Sequence, residues 1–242
     1  MLRGLFIVAC LMAACSAPPR ARVAWSRRGH GRIVNGEPAV ITDYPCVLAT
    51  EFLVRQECGG SIISTTWAMS AGHCFYDDVN KMSLRAGSTP SEQFPVGSNI
   101  QIVNLPSKIG YEAPAGLPVT VVGWGLDDDG NRPEQLQKVD LSVGKTSICK
   151  DIFADYNPVT ESMMCASAIN KSPCNGDSGS PLVFGSVQVG IASEWDENCE
   201  YPQVVYTSIA FDVSFYQKCG QSSRADADVV VADERGETVT DV

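Results

Sequence analysis

Eight cysteines set the tightest limit on what this chain can fold into. They are Cys46, Cys58, Cys74, Cys149, Cys165, Cys174, Cys199 and Cys219, and all lie behind an N-terminal stretch built like an export signal. That stretch has Arg3, an apolar run from Leu5 to Ala14 and small residues up to Ala17. It is too short to anchor in a bilayer and reads as a signal peptide over 1–17, which takes Cys10 and Cys15 with it on removal. An even cysteine count behind such a leader predicts disulfides formed in an oxidising, extracellular compartment. Only two histidines are present, His30 and His73, and there is no CxxC pair. Metal and cofactor are therefore both expected to be none.

Charge and pattern narrow the class further. All 28 acidic residues follow Arg32, and 12 of the 18 basic ones do, so the chain beyond that point carries −16. Such a surface repels phosphate backbones, and no nucleic-acid partner is expected. Residues 18–32 are rich in Arg and Pro, lack apolar periodicity and read as a pro-segment. From Tyr44 onward the chain alternates short β-branched and aromatic runs with Gly, Pro and Asn, which predicts an all-β sandwich or barrel. Ile209, Val213 and Tyr216 share one face of a helix predicted over Thr207–Lys218. Residues 221–242 hold six acids and two bases and predict a disordered tail. The run Asp127-Asp128-Asp129-Gly130 lacks the alternation and distal glutamate of a calcium loop, and reads as a solvated turn.

The chemistry is concentrated in Cys174-Asn175-Gly176-Asp177-Ser178-Gly179-Ser180-Pro181-Leu182. Ser178 stands next to Gly179 and close to Gly176, where backbone can approach a substrate without a side chain in the way. Upstream lie Trp67-Ala68-Met69-Ser70-Ala71-Gly72-His73-Cys74 and Arg32-Ile33-Val34-Asn35-Gly36. These three stretches resemble the nucleophile loop, histidine motif and activation site of the chymotrypsin/trypsin family of serine proteases. Ser180 stands where the family usually has a second glycine. The resemblance implies that Ser178 is the nucleophile and His73 its general base. It implies that the Gly176 and Ser178 N–H groups form the oxyanion hole. Cleavage after Arg32 would free the Ile33 amine to pair with Asp177. It also implies disulfides Cys58–Cys74, Cys149–Cys165 and Cys174–Cys199. Cys46 and Cys219 are left over and available to pair with each other.

One family feature is missing. No aspartate occurs between Asp78 and Asp127, and the 105 residues from His73 to Ser178 are fewer than the family usually has. The D-I-A-L-L-like strand that carries the orienting aspartate is not found; the shortfall falls between Thr89 and Ile100. Asp77 and Asp78 are the nearest carboxylates to His73 in sequence. A shortened homologue and an omitted exon both account for the gap. In well-studied members of this family, losing that carboxylate costs about 10⁴ in kcat.

By resemblance the fold is two six-stranded antiparallel barrels of the chymotrypsin type, the first incomplete, with one C-terminal helix, over 33–220. Ser172 would line the floor of the specificity pocket. Ser193, Trp195 and Val204 would form its walls. Ser172 is not acidic, so an uncharged P1 side chain is expected rather than Lys or Arg. The implied function is a secreted, monomeric serine endopeptidase made as a zymogen, not membrane-bound, acting on protein or peptide substrates. The alternative is a catalytically impaired homologue that serves as a protein-binding module.

Overall fold

The computed structural model describes residues 33–75, 79–87, 100–108, 110, 112–127, 130–155, 158–194, 199, 203–211, 228–232 and 238–239. The N-terminal half contributes β1 (Glu37–Pro38), β2 (Val47–Phe52), β3 (Arg55–Ile62), β4 (Trp67–Ala71) and β5 (Met82–Ala86). The C-terminal half contributes β6 (Pro118–Gly123), β7 (Gln137–Val143), β8 (Met163–Ser167), β9 (Pro181–Phe184), β10 (Val187–Glu194) and β11 (Val204–Ser208). Two further strands, β12 (Asp228–Ala232) and β13 (Thr238–Val239), end the chain, and α1 spans Thr146–Phe153.

The strands build two sheets, one mainly from each half, with β1 crossing to the second and β12–β13 to the first. In the second, the order is β1-β7-β6-β9-β10-β11-β8, and an added β7–β8 pairing closes six strands into a barrel. Strand β7 shows how sequence dictates this. Gln137, Val139, Leu141 and Val143 are buried while Lys138, Asp140 and Ser142 between them face outward, the period of two that a one-sided strand requires. Val119, Val121, Val139, Leu141, Leu182 and Tyr206 fill the interior, and Ile33 packs among them.

The first sheet runs β13-β12-β4-β3-β2-β5 and does not close. It also buries charge: Glu51 of β2 and Arg85 of β5 form an ion pair with both side chains buried, and the Ser83 hydroxyl donates to Glu51 at 3.2 Å. An all-β, chymotrypsin-type pair of barrels with the first incomplete is thus what the chain forms.

Two expectations need correcting. Thr207 and Ser208 do not begin a helix: they end β11, and Ile209–Phe211 form a single 3-10 turn. Thr207 is buried between strands, so pairing with β8 overrides the helical spacing; 212–218 lie outside the described residues. The tail beyond Gly220 is not structureless throughout, because β12 and β13 both lie within it. Its composition is acidic, but Val229-Val230-Val231 is a β-branched run that suits a strand. Asp127 does sit in a tight turn, where Gly130 N–H donates to its carbonyl at 2.9 Å and Asn131 N–H to its carboxylate at 2.7 Å.

Candidate active site

Two elements, one from each sheet, bring the reactive pair together. Strand β4 runs into a 3-10 turn over Gly72–Phe75, which carries His73. Ser178 lies in the turn preceding β9. The His73 Nε2 and Ser178 Oγ are 2.7 Å apart, within reach for direct proton transfer. Ser178 is 4% exposed. The contact is held from both sides. The Cys58–Cys74 disulfide ties the histidine turn to β3, and the Gly59 N–H beside it donates to Ser178 O at 2.7 Å. The Ser70 hydroxyl of β4 donates to Gly59 O, also at 2.7 Å.

The nucleophile loop is wound by its own bonds. Asp177 N–H donates to Cys174 O and Ser180 N–H to Asp177 O, each at 2.9 Å, while Gly179 N–H reaches Ala192 O on β10 at 2.7 Å. Gly179 has φ +81°, and a Cβ there would run into Ser70 Oγ and Gly59 O. Only glycine fits. Among the described residues, neither the Gly176 nor the Ser178 N–H is taken up by a partner. Both donors stay available to an acceptor.

Asp177 is fully buried beneath this loop. Its carboxylate accepts from Gly125 N–H at 2.8 Å and Cys174 N–H at 3.0 Å. Burial raises its pKa to about 6, against the lowering effects of those two N–H groups and of the Arg132 charge. A Cβ on Gly125 would collide with the carboxylate, so the chain can pass this close only as glycine. Ile33 is fully buried, Val34 bridges to Ser172, and the Asn35 side-chain amide donates to Asn170 O at 2.7 Å. The stretch after Arg32 is thus docked on the loop that leads to Asp177.

A Trypsin family model matches residues 33–94 and 90–215, two stretches that meet where the sequence is short. The chain belongs to the trypsin family. It is 31% identical to trypsin alpha of Drosophila melanogaster over 216 residues, covering 74% of this chain and 84% of that protein. It is 30% identical to hypodermin-B of Hypoderma lineatum, with the same coverage. Neuropsin, a serine protease expressed in the limbic system of mouse brain, shares the fold. Its TM-score is 0.67 at 23% identity, over 76% of this chain and 98% of neuropsin. At the level of the family, the chain is a serine endopeptidase with a trypsin-like fold.

Ser172 is 3% exposed and donates its hydroxyl to Pro173 O at 2.7 Å, so its oxygen is fixed rather than free to rotate. Ser193 is buried at a bulge of β10, and Val204 is buried at the start of β11. Tyr206, also buried, has its hydroxyl pKa pushed well up by burial and then by the negative Asp177. Disulfides join Cys149 to Cys165 and Cys174 to Cys199. Cys46 is buried. Arg32, Trp195, Cys219, Asp77 and Asp78 lie outside the described residues.

Sequence reasoning missed a supporting network. The Gln56 side-chain amide on β3 donates to Gly176 O at 2.8 Å, fixing the peptide next to the nucleophile. Arg132 in turn donates to the Gln56 side chain at 2.8 Å and to Glu57 at 3.2 Å. No motif contains Gln56 or Arg132. They are 76 residues apart in sequence, and only folding reveals the pair.

Proposed function

We propose that this chain is a secreted serine endopeptidase made as a zymogen. In this reading 1–17 is the signal peptide, 18–32 the pro-segment and 33–220 the protease domain. An activating protease cuts after Arg32, and the freed Ile33 ammonium pairs with Asp177. The pairing relieves a buried carboxylate whose charge is otherwise costly.

The observation that carries the proposal is the 2.7 Å contact between His73 Nε2 and Ser178 Oγ. Ser178 Oγ attacks the scissile carbonyl while His73 Nε2 takes the hydroxyl proton. The Gly176 and Ser178 N–H groups stabilise the oxyanion that forms. The C–N bond then breaks, the amine leaves with the proton from His73, and an ester joins substrate to Ser178. Water, deprotonated by His73, cleaves that ester and restores the serine hydroxyl. The active species is a monomer.

Ser172 at the pocket floor supplies no carboxylate for a substrate Lys or Arg, and Val204, standing where the family usually has a wall glycine, narrows the pocket. The preferred P1 residue is uncharged. The test is hydrolysis of a peptide series that varies only P1, using the full chain cleaved after Arg32. Ala, Val, Leu or Phe at P1 is expected to exceed Arg and Lys. Preference for Arg or Lys would contradict the pocket assignment. No hydrolysis of any peptide would favour the alternative, a protein-binding homologue, which the absence of aspartate between Asp78 and Asp127 otherwise suggests.

A further inference from the structure

Strand β4 is the support on which His73 depends, since the histidine follows its last residue by two positions. All five of its residues are buried. On one side it pairs with β3, through Ser61 opposite Met69 and Ile62 opposite Ala68. A buried strand whose other edge stayed bare would leave backbone N–H and C=O groups unsatisfied, at a cost comparable to a lost hydrogen bond for each. That edge is not bare. Strand β12 lies along it in parallel, with Asp228 opposite Trp67, Val230 opposite Met69 and Ala232 opposite Ala71.

The arrangement departs from the rest of the sheet. Every other pairing in it among the described residues is antiparallel. Parallel neighbours need a connection of a dozen or more residues, and the chain from 72 to 227 separates these two strands in sequence. Strand β13 then folds back on β12, with Val231 opposite Val239 and Ala232 opposite Thr238. The chain thus spends its last residues on a two-stranded hairpin that extends the incomplete barrel beside the histidine.

We infer that the C-terminal hairpin β12–β13 stands in for barrel strands along the edge of β4, and that by pairing there it holds the His73 turn against Ser178. The occupant of this edge is the chain's own tail, fixed by the register above. Catalysis then depends on a segment far from the active site in sequence, and proteolytic loss of the tail inactivates the enzyme. The dependence on activity rests on the proposed protease function; the docking itself does not.

The two halves are tested separately. In the full chain, hydrogen–deuterium exchange of peptides covering Trp67–Ala71 and Asp228–Ala232 should show both protected. Exchange of 228–232 at the rate of unstructured chain overturns the inference whatever the activity. With both chains cleaved after Arg32, a chain ending at Ala225 should lose protection at 67–71 and label at Ser178 with a fluorophosphonate more slowly than the full chain, by about tenfold or more. A synthetic peptide of residues 226–242 added in excess should restore both. Should the shortened chain fail to fold, Val230→Pro in the full chain breaks the strand from within. Val230→Ala keeps the backbone intact and serves as its control. Loss of 67–71 protection and of labelling in the proline variant alone supports the inference. Equal labelling and protection in the two variants overturns it.

Discussion

The two sheets contribute one reactive residue each but reach their final shape by different means. The second closes on itself through β7–β8, encloses an apolar interior and shapes the Ser178 loop with local bonds. The first is open, buries the Glu51–Arg85 ion pair and has the edge beside His73 covered by residues from the other end of the chain. The closed barrel winds its nucleophile loop with its own bonds, and Gln56 and Gly59 of β3 add two more. The open sheet positions its histidine with the disulfide to its own β3 and with a strand from the far end of the chain along β4.

The sharpest way to separate the two contributions is to remove each reactive group. His73→Ala should lower kcat by about 10²–10⁴ while leaving KM nearly unchanged, because a general base acts in the transition state. Steady-state kinetics on the chain cleaved after Arg32 would check this. A change in KM alone would mean that the first sheet contributes binding and not chemistry.

Cys58–Cys74 and Cys149–Cys165 each join residues 16 apart, so the loop-entropy term is about 3 kcal/mol for both. Replacing either pair with serines should therefore cost similar stability by denaturant unfolding. Activity should fall only for the Cys58/Cys74 pair, which secures the His73 turn. Equal loss of activity in both variants would erase the distinction drawn between the sheets.

A smaller effect is expected at the seam. Gln56→Leu removes the donor to Gly176 O and leaves that buried carbonyl and one Arg132 N–H short of a partner, at about 1–3 kcal/mol. It should reduce kcat with little change in P1 preference, and P1-series kinetics would show whether it does.

The smallest effect is a pH dependence seated in the second sheet. In the uncleaved chain Asp177 has a pKa of about 6, above the ordinary carboxylate value. Between about pH 4 and 6 the folded state therefore holds more protons than the unfolded one, and stability falls as pH rises across that window. Above 6 its contribution is level. Thermal unfolding of the wild type minus that of Asp177→Asn, measured from pH 4 to 7, should show this slope. Cleavage after Arg32 should flatten or reverse it, since an ammonium favours the charged carboxylate.

Much of this was legible in the sequence because the chemistry is local there. The residues flanking Ser178 and His73 specify tight turns through their own identities, and the alternation along β7 sets its buried face. What was not legible depends on distant partners. Gln56 and Arg132 carry no motif, and their role arises only when β3 meets the Gly176 turn. The strand at Asp228–Ala232 was hidden by its acidic surroundings, since composition cannot reveal an edge on β4 for three valines to cover. Thr207 opens a stretch whose Ile209, Val213 and Tyr216 spacing suits a helix, yet pairing with β8 decides its state.

The most direct test of the central claim is whether His73 and Ser178 form a working acylation centre. The full chain, cleaved after Arg32, would be mixed with an acylating nitrophenyl ester and examined by mass spectrometry. The account predicts a burst of nitrophenol matching one acyl group per chain, on the peptide containing Ser178 and absent from Ser178→Ala. No burst, or an acyl group placed elsewhere, would mean that the 2.7 Å contact is architecture without catalysis.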